Sequence, residues 1–305
     1  MLMYFVTVTG NVITLFLMMG VGFFLAKRGR LSGETLSQLS YLLLFVVAPC
    51  IVIEQFQIEA SEEMIRSLII ATFALGSYYL LFLPLSQLLF RKQPQDTRVC
   101  LRFGSVYGNV GFMGLPLLLS VFGEEALIYG AVSLVAFAVA QWTHGVSIMG
   151  GGCSVKKVIL NPGIIGIAIG LTFFITGFKL PVMLGSAVSF IGSINTPIAM
   201  VVIGGQMAGV DFITTFTKAK LYSVALVKLL IIPGVTALVL LPFNLPPLIY
   251  SVCVVLSAAP SGAVTSIFAL QFGRDTDTAA QLVTLSTLLS VITLPLWVVA
   301  AEILR

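Results

Sequence analysis

The sequence predicts an all-α membrane protein of ten transmembrane helices, arranged as two inverted five-helix repeats with crossed, broken helices four and nine. Three observations predict it. Charges are too few for a surface in water, basic residues segregate to one side of the apolar segments, and prolines recur at about half the chain length. Apolar types make up 58% of the 305 residues and charged types 9%, against about 25% charged in an ordinary soluble domain. Lipid must therefore solvate most of the surface. Nucleic acid is not an expected partner, because Lys and Arg form no dense cluster despite a formal net charge of +4. The four cysteines, Cys50, Cys100, Cys153 and Cys253, are far apart, so neither a disulfide nor a zinc site is expected.

A spanning helix needs about 20 mostly apolar residues. Polar breaks divide the chain into ten such stretches, at 4–26, 37–56, 66–90, 102–122, 127–149, 159–178, 182–209, 221–242, 248–272 and 279–302. The first is followed, not preceded, by basic residues and is too long for a signal-peptide core, so it reads as an uncleaved span. With the N-terminus outside, the inner loops hold Lys27, Arg28, Arg30, Arg91, Lys92, Arg98, Arg102, Lys156, Lys157, Lys218, Lys220 and Arg274. The outer ends hold only Arg66, Lys179 and Arg305. Twelve against three fits the rule that basic loops stay inside, and losing any one span would scramble the count. Glu59, Glu62, Glu63, Glu124 and Glu125 lie outside. Both termini are thus expected on the outer side of a cytoplasmic membrane.

Spans two, three and four carry Pro49, Pro84 and Pro116, and spans seven, eight and nine carry Pro197, Pro233 and Pro260. The offsets are 148, 149 and 144 residues. Five spans is an odd number, so the second half enters the membrane inverted, as in inverted-repeat transporters. The joint lies at Gly150–Lys157, which divides the chain into 1–150 and 151–305.

Span four contains Gly104-Ser-Val-Tyr-Gly-Asn-Val-Gly-Phe-Met-Gly-Leu-Pro116, and span nine contains Ser257-Ala-Ala-Pro260-Ser-Gly262 near its centre. Proline removes a backbone donor and clashes with the preceding turn, and lipid cannot satisfy the freed groups. The two breaks are therefore expected to face protein or a watery cavity and to cross there. Half-helices beginning at Pro116 and Pro260 would aim their N-termini at the membrane centre, where free N–H groups favour an anion. Asn109 and Ser261 could add side-chain hydrogen bonds. A pair of kinked packing helices without a ligand is the plainer alternative.

Asn109-Val-Gly-Phe-Met-Gly-Leu-Pro-Leu in span four, Ala258-Ala-Pro-Ser-Gly in span nine and Asn195-Thr-Pro-Ile-Ala-Met in span seven resemble motifs of the auxin efflux carrier family. That family includes bacterial malonate and malate permease-like proteins and plant PIN carriers. The resemblance implies a substrate site at the crossing of spans four and nine, to which Asn109, Pro116 and Pro260 belong by motif; Gly111, Gly114, Ser261 and Gly262 beside them complete the candidate substrate-binding set. It also implies a scaffold of spans one, two, six and seven, with spans three to five and eight to ten moving against it like an elevator. The long cytoplasmic loop of many PIN carriers and the plant pattern at the first crossover are absent, which argues against auxin as substrate.

Lys228 lies about a third of the way into span eight, placed either to attract an anion in a cavity or to snorkel to the inner interface. His144, in the inner third of span five, could carry a coupling proton or merely bond a neighbour. Asn195 and Thr196 are candidate gate residues, with helix–helix hydrogen bonding as the alternative. Glu54 sits at the outer end of span two, and no acid falls in the central third of any span. That disfavours an organic-cation substrate and a carboxylate relay; sodium or proton coupling stays open. No cofactor is expected, and a homodimer is left open. The expected function is a secondary transporter of a small mono- or dicarboxylate such as malonate or malate. The alternatives are an anion channel or facilitator of the same fold and efflux of an auxin-like aromatic acid. No nucleophile–base pair, metal cluster or phosphate loop points to an enzyme.

Overall fold

The computed structural model describes residues 2–58, 61–152, 156, 159–160 and 162–304, apart from the side chains of 2–5 and 163. Glu59, Cys153, Lys157 and Arg305 lie outside the described residues. The helices are α1 (Leu2–Lys27), α2 (Gly33–Gln55), α3 (Glu62–Ser86), α4 (Gln95–Val106), α5 (Val110–Phe122) and α6 (Glu125–Ile148), followed by α7 (Pro162–Thr176) and α8 (Val182–Met207). A short α9 (Phe212–Thr217) leads into α10 (Ala219–Phe243), α11 (Pro247–Ser257), α12 (Val264–Gln271) and α13 (Thr276–Leu304). No strand occurs among the described residues, and seven of these helices are long and apolar enough to cross a membrane. The protein is multi-pass. Shorter apolar helices, Val110–Phe122, Ile164–Thr176 and Pro247–Ser257, occupy other segments, two of which are broken in their middles.

The surface is apolar in the way a lipid-facing surface must be. Phe73 is 76% exposed and Leu80 81%, a pattern that would mark an interaction site in a water-soluble monomer. By contrast, every residue of α11 from Ile249 to Ser257 is buried, so this helix runs through the protein interior. Side-chain caps mark two helix starts: Ser32 Oγ accepts from Thr35 N and Ser61 Oγ from Met64 N.

Four helices contain one π-helical turn each: Leu43–Val47, Val110–Gly114, Gln141–Gly145 and Val227–Ile231. Three end two residues before a proline, namely Pro49, Pro116 and Pro233. The wider turn moves aside the carbonyl that the proline ring would strike and absorbs the missing N–H. Pro84, the counterpart of Pro233 in the sequence spacing, lies inside α3 with no π turn. The turn at Gln141–Gly145 has no proline after it.

One expectation needs correction. Span four does not break at Pro116. Its first half ends at Val106 and its second begins at Val110, with Asn109 as N-cap. Pro116 sits within α5, where the π turn accommodates it. In the other broken segment Pro260 does lie in the break, between Ser257 and Val264.

Candidate functional site

The two breaks meet as a short antiparallel bridge. Gly108 faces Ser261 across it. Asn109 N donates to Pro260 O at 2.7 Å, and Gly262 N donates to Tyr107 O at 2.8 Å. Backbone groups orphaned by one broken helix are thus satisfied by the other, as a low-dielectric interior demands. Glycine at 262 suits this close approach, since an added Cβ would lie 3.1 Å from Gly108 O and 3.2 Å from Tyr107 O and would press the two segments apart by a few tenths of an ångström. Ser261 is consumed by this joint: its Oγ donates to Gly104 O and its N–H to Ser286 Oγ.

Asn109 has two roles. Its Oδ1 accepts from Phe112 N at 3.3 Å, capping α5. Its Nδ2 is buried with no hydrogen-bond partner, a donor without an acceptor beside the crossing. The cap also revises the expected anion site, because part of the α5 N-terminus is already occupied by the protein's own carboxamide.

Lys228, in the π turn of α10, is fully buried and does not snorkel. Its Nζ donates to Ser257 O at 2.7 Å and to Tyr78 Oη at 3.2 Å, and it lies 5.5 Å from the Tyr78 ring centre. Tyr78 Oη in turn donates to Val106 O. The ammonium therefore spans the C-terminal ends of α11 and α4, where carbonyls favour a cation. No carboxylate pairs with it among the described residues; the single ion pair there is Arg274–Asp96. An ammonium has three donors. Beside it lies a cavity of about 30 Å³ bounded by Tyr78, Gly108, Ser133, Thr236 and Ser257, room for water but not for a dicarboxylate.

A second cavity, about 670 Å³, opens between α2, α6 and α8. Pro116, Asn195, Thr196 and Glu54 line it, with Glu124 and Glu125 at its rim. Pro116, Asn195 and Thr196 are thus together, but apart from Lys228. Gly114 packs on Leu256, and Gly111 has only the Leu134 side chain nearby; neither is a close backbone approach to the crossing. His144 lies elsewhere again, joined to Tyr107 Oη through Nδ1 and to Gln87 through Nε2. Of the sequence-selected residues, Asn109, Pro260, Ser261, Gly262 and Lys228 converge at the crossing.

Sequence reasoning missed Tyr78, Tyr107, Gln87 and Ser286. The signal available for Tyr78 was a tyrosine pair in the middle of an apolar helix, since a buried phenol needs a partner.

The model of the family described as membrane transport protein matches this chain twice, over residues 7–151 and 150–298. A Rhizobium meliloti protein named "Putative malonate transporter" is 23% identical, over 94% of this chain and 93% of its own length. An "Uncharacterized transporter" of Methanothermobacter thermautotrophicus is 22% identical, over 97% of this chain and 99% of its own. With matches that run through both halves, the chain belongs to this membrane transport protein family, the auxin efflux carrier family that its crossover motifs resemble.

Proposed function

We propose that this chain is a secondary active transporter of a small organic anion, a mono- or dicarboxylate of the malonate or malate kind, working by alternating access at the crossing. The observation that carries this reading is Lys228: a wholly buried lysine with no carboxylate partner among the described residues, bonded to Ser257 O and packed against Gly108 of the two broken helices. A buried charge is costly unless paired, and a substrate carboxylate would pair it. The unpartnered Asn109 Nδ2 supplies a second donor of the right kind. The cavity beside Lys228 is narrow, and the larger cavity lined by Pro116 and Asn195 is the approach from the outer side.

The same reading takes ten spans in two inverted repeats, 1–150 and 151–305, with both termini outside the cytoplasmic membrane. The family match falls once in each half, which supports it. Spans one, two, six and seven (α1, α2, α7, α8) form the scaffold, and the remaining helices carry the site past them. Sodium or a proton is the coupling ion, a homodimer is compatible with this scaffold, and no cofactor takes part. The malonate name attached to one relative supports a carboxylate.

Uptake of labelled malonate, malate, oxalate and indole-3-acetate into proteoliposomes, with and without sodium and proton gradients, tests this reading. Saturable uptake or exchange of one carboxylate is expected. Non-saturating flux would favour a channel, and no flux of any of them in folded protein would overturn the carboxylate reading.

A further inference from the structure

Glu54 lies in the last turn of α2, where the helix carbonyls already disfavour an anion. Its carboxylate makes no hydrogen bond and no ion pair with the described residues. A Cβ at Gly192 would lie 3.1 Å from Glu54 Oε2, so the missing side chain on α8 gives the carboxylate its place against that helix. A second set of carbonyls lies close by. α8 has a turn at Ile194 between its two halves, and Pro197 has no N–H to offer Ser193 O. Lys179 Nζ donates to Gln57 O, beyond the end of α2, without pairing with Glu54. No Lys, Arg or His is among the described residues that line the larger cavity.

At the crossing the protein meets the same electrostatic demand itself, with Lys228 Nζ on the carbonyl end of α11. In the larger cavity no described side chain does so. A separate observation points to a ligand there. Asn195, which opens the second half of α8, is 6% exposed and lines the cavity, yet its amide makes no hydrogen bond among the described residues. A buried amide without a partner is uncommon. The hydroxyls of Ser189 and Thr196, which line the same cavity, make none either. A carboxylate, a freed carbonyl, a carboxamide and two hydroxyls thus gather on α2 and α8. All offer oxygen, with no thiol or imidazole among them, which is the donor set of a hard cation. One carboxylate among neutral oxygens balances a single positive charge, whereas calcium sites recruit several carboxylates. Glu124 and Glu125 have their own explanation at the start of α6, where a helix N-terminus favours acids.

We infer that the larger cavity binds a monovalent metal cation of the sodium kind at Glu54, with the Ser193 carbonyl, the Asn195 carboxamide and the Ser189 and Thr196 hydroxyls as neutral ligands. Bound there, the cation neutralises a cavity whose acids would otherwise repel an approaching carboxylate. That role deepens the transporter reading and rests on it. The binding does not, and it can be measured with no anion present.

The test is equilibrium binding of radiolabelled sodium to the purified full-length protein at about pH 8, where carboxylates are ionised, with choline as the balancing cation. A single saturable site per chain is expected. Glu54→Gln should weaken it about tenfold or more and Asn195→Ala about threefold or more, while Glu124→Gln, a rim charge, should change it by less than about twofold. Saturating sodium should also raise the melting temperature of the wild type, by linkage, and leave that of Glu54→Gln unmoved. Should Glu54→Gln not fold, Asn195→Ala carries the test. No saturable binding, or an affinity that these two substitutions leave unchanged, overturns the site. So does calcium binding in place of sodium that Glu124→Gln abolishes. Anion uptake by protein that binds no sodium removes the cation site alone. Sodium binding that depends on Glu54, in protein that carries no tested anion, keeps the site and removes the carrier reading.

Discussion

Glycine brings backbones together in two regions of this molecule, to opposite effect. Where α1 crosses α8, a Cβ at Gly22 would overlap the Val201 carbonyl and one at Gly204 the Met19 carbonyl. The contact falls within two continuous α-helical stretches, Leu2–Lys27 and Asn195–Met207, so it is van der Waals packing of the small-residue kind that membrane helices favour. At the crossing, Gly108 and Gly262 also permit backbone contact, but between segments that have lost their own helical bonds and borrow each other's. The first contact has one arrangement. The second is a set of hydrogen bonds that, on the transport reading proposed above, are exchanged for bonds to a ligand or to water. A fixed frame and a reconfigurable centre follow from one residue type, according to whether the helices are whole.

The largest effect is therefore expected at the frame. Gly204→Val puts two methyls where the Met19 carbonyl stands, and neither helix backbone can yield locally. A loss of about 3 kcal/mol or more is expected, seen as a large drop in melting temperature or failure to recover folded protein. Recovery of stable protein with wild-type melting would mean that α1 and α8 are free to separate. At the centre the expected effect is on transport instead. Lys228→Met keeps the length of the stem and removes a costly buried charge, so folding survives. Uptake of the carried anion should fall about ten- to hundredfold, the worth of one charged hydrogen bond. If melting fell with uptake in proportion, Lys228 would be a cap on the carbonyl ends of α11 and α4 rather than a substrate ligand.

A multi-pass helical membrane protein with interrupted helices was legible in the residues, because long apolar stretches leave few options in lipid. The location of the first break was also legible but overlooked. An asparagine three residues before Phe112 is an N-cap pattern, and it outranks a proline that a π turn can absorb. Lys228 could be named as costly, but its direction could not be read, since Ser257 and Tyr78 are 29 and 150 residues away. The Gln87–His144–Tyr107 chain is hidden for the same reason: 57 and 37 residues separate its members, and only packing brings them together. Pro84 and Pro233 look equivalent in sequence, yet only Pro233 is preceded by a π turn.

A third, smaller prediction tests whether α4 and α13, both assigned to the proposed transport domain, are tied together at one end. There Thr97, on the first turn of α4, donates to Asp275 Oδ2 at 2.6 Å, and Thr278 N donates to Oδ1 at 3.0 Å. Burial works to raise the Asp275 carboxyl, but the bonds from Thr97 and Thr278, with Lys220 nearby, outweigh it and hold it below its ordinary value. A carboxyl lowered on folding contributes stability that is present above its unfolded pKa, about 3.9, and lost as pH falls through the folded value. Thr97→Val removes one of those bonds and should cost about 1 kcal/mol at neutral pH. That deficit should shrink as pH falls from about 4 through the lowered folded value, below which Asp275 is protonated with or without the threonine. Melting curves of wild type and variant that converge in acid would show the link between α4 and α13 acting through the ionised carboxylate. A deficit that stays constant with pH would assign the loss to packing at Thr97 instead.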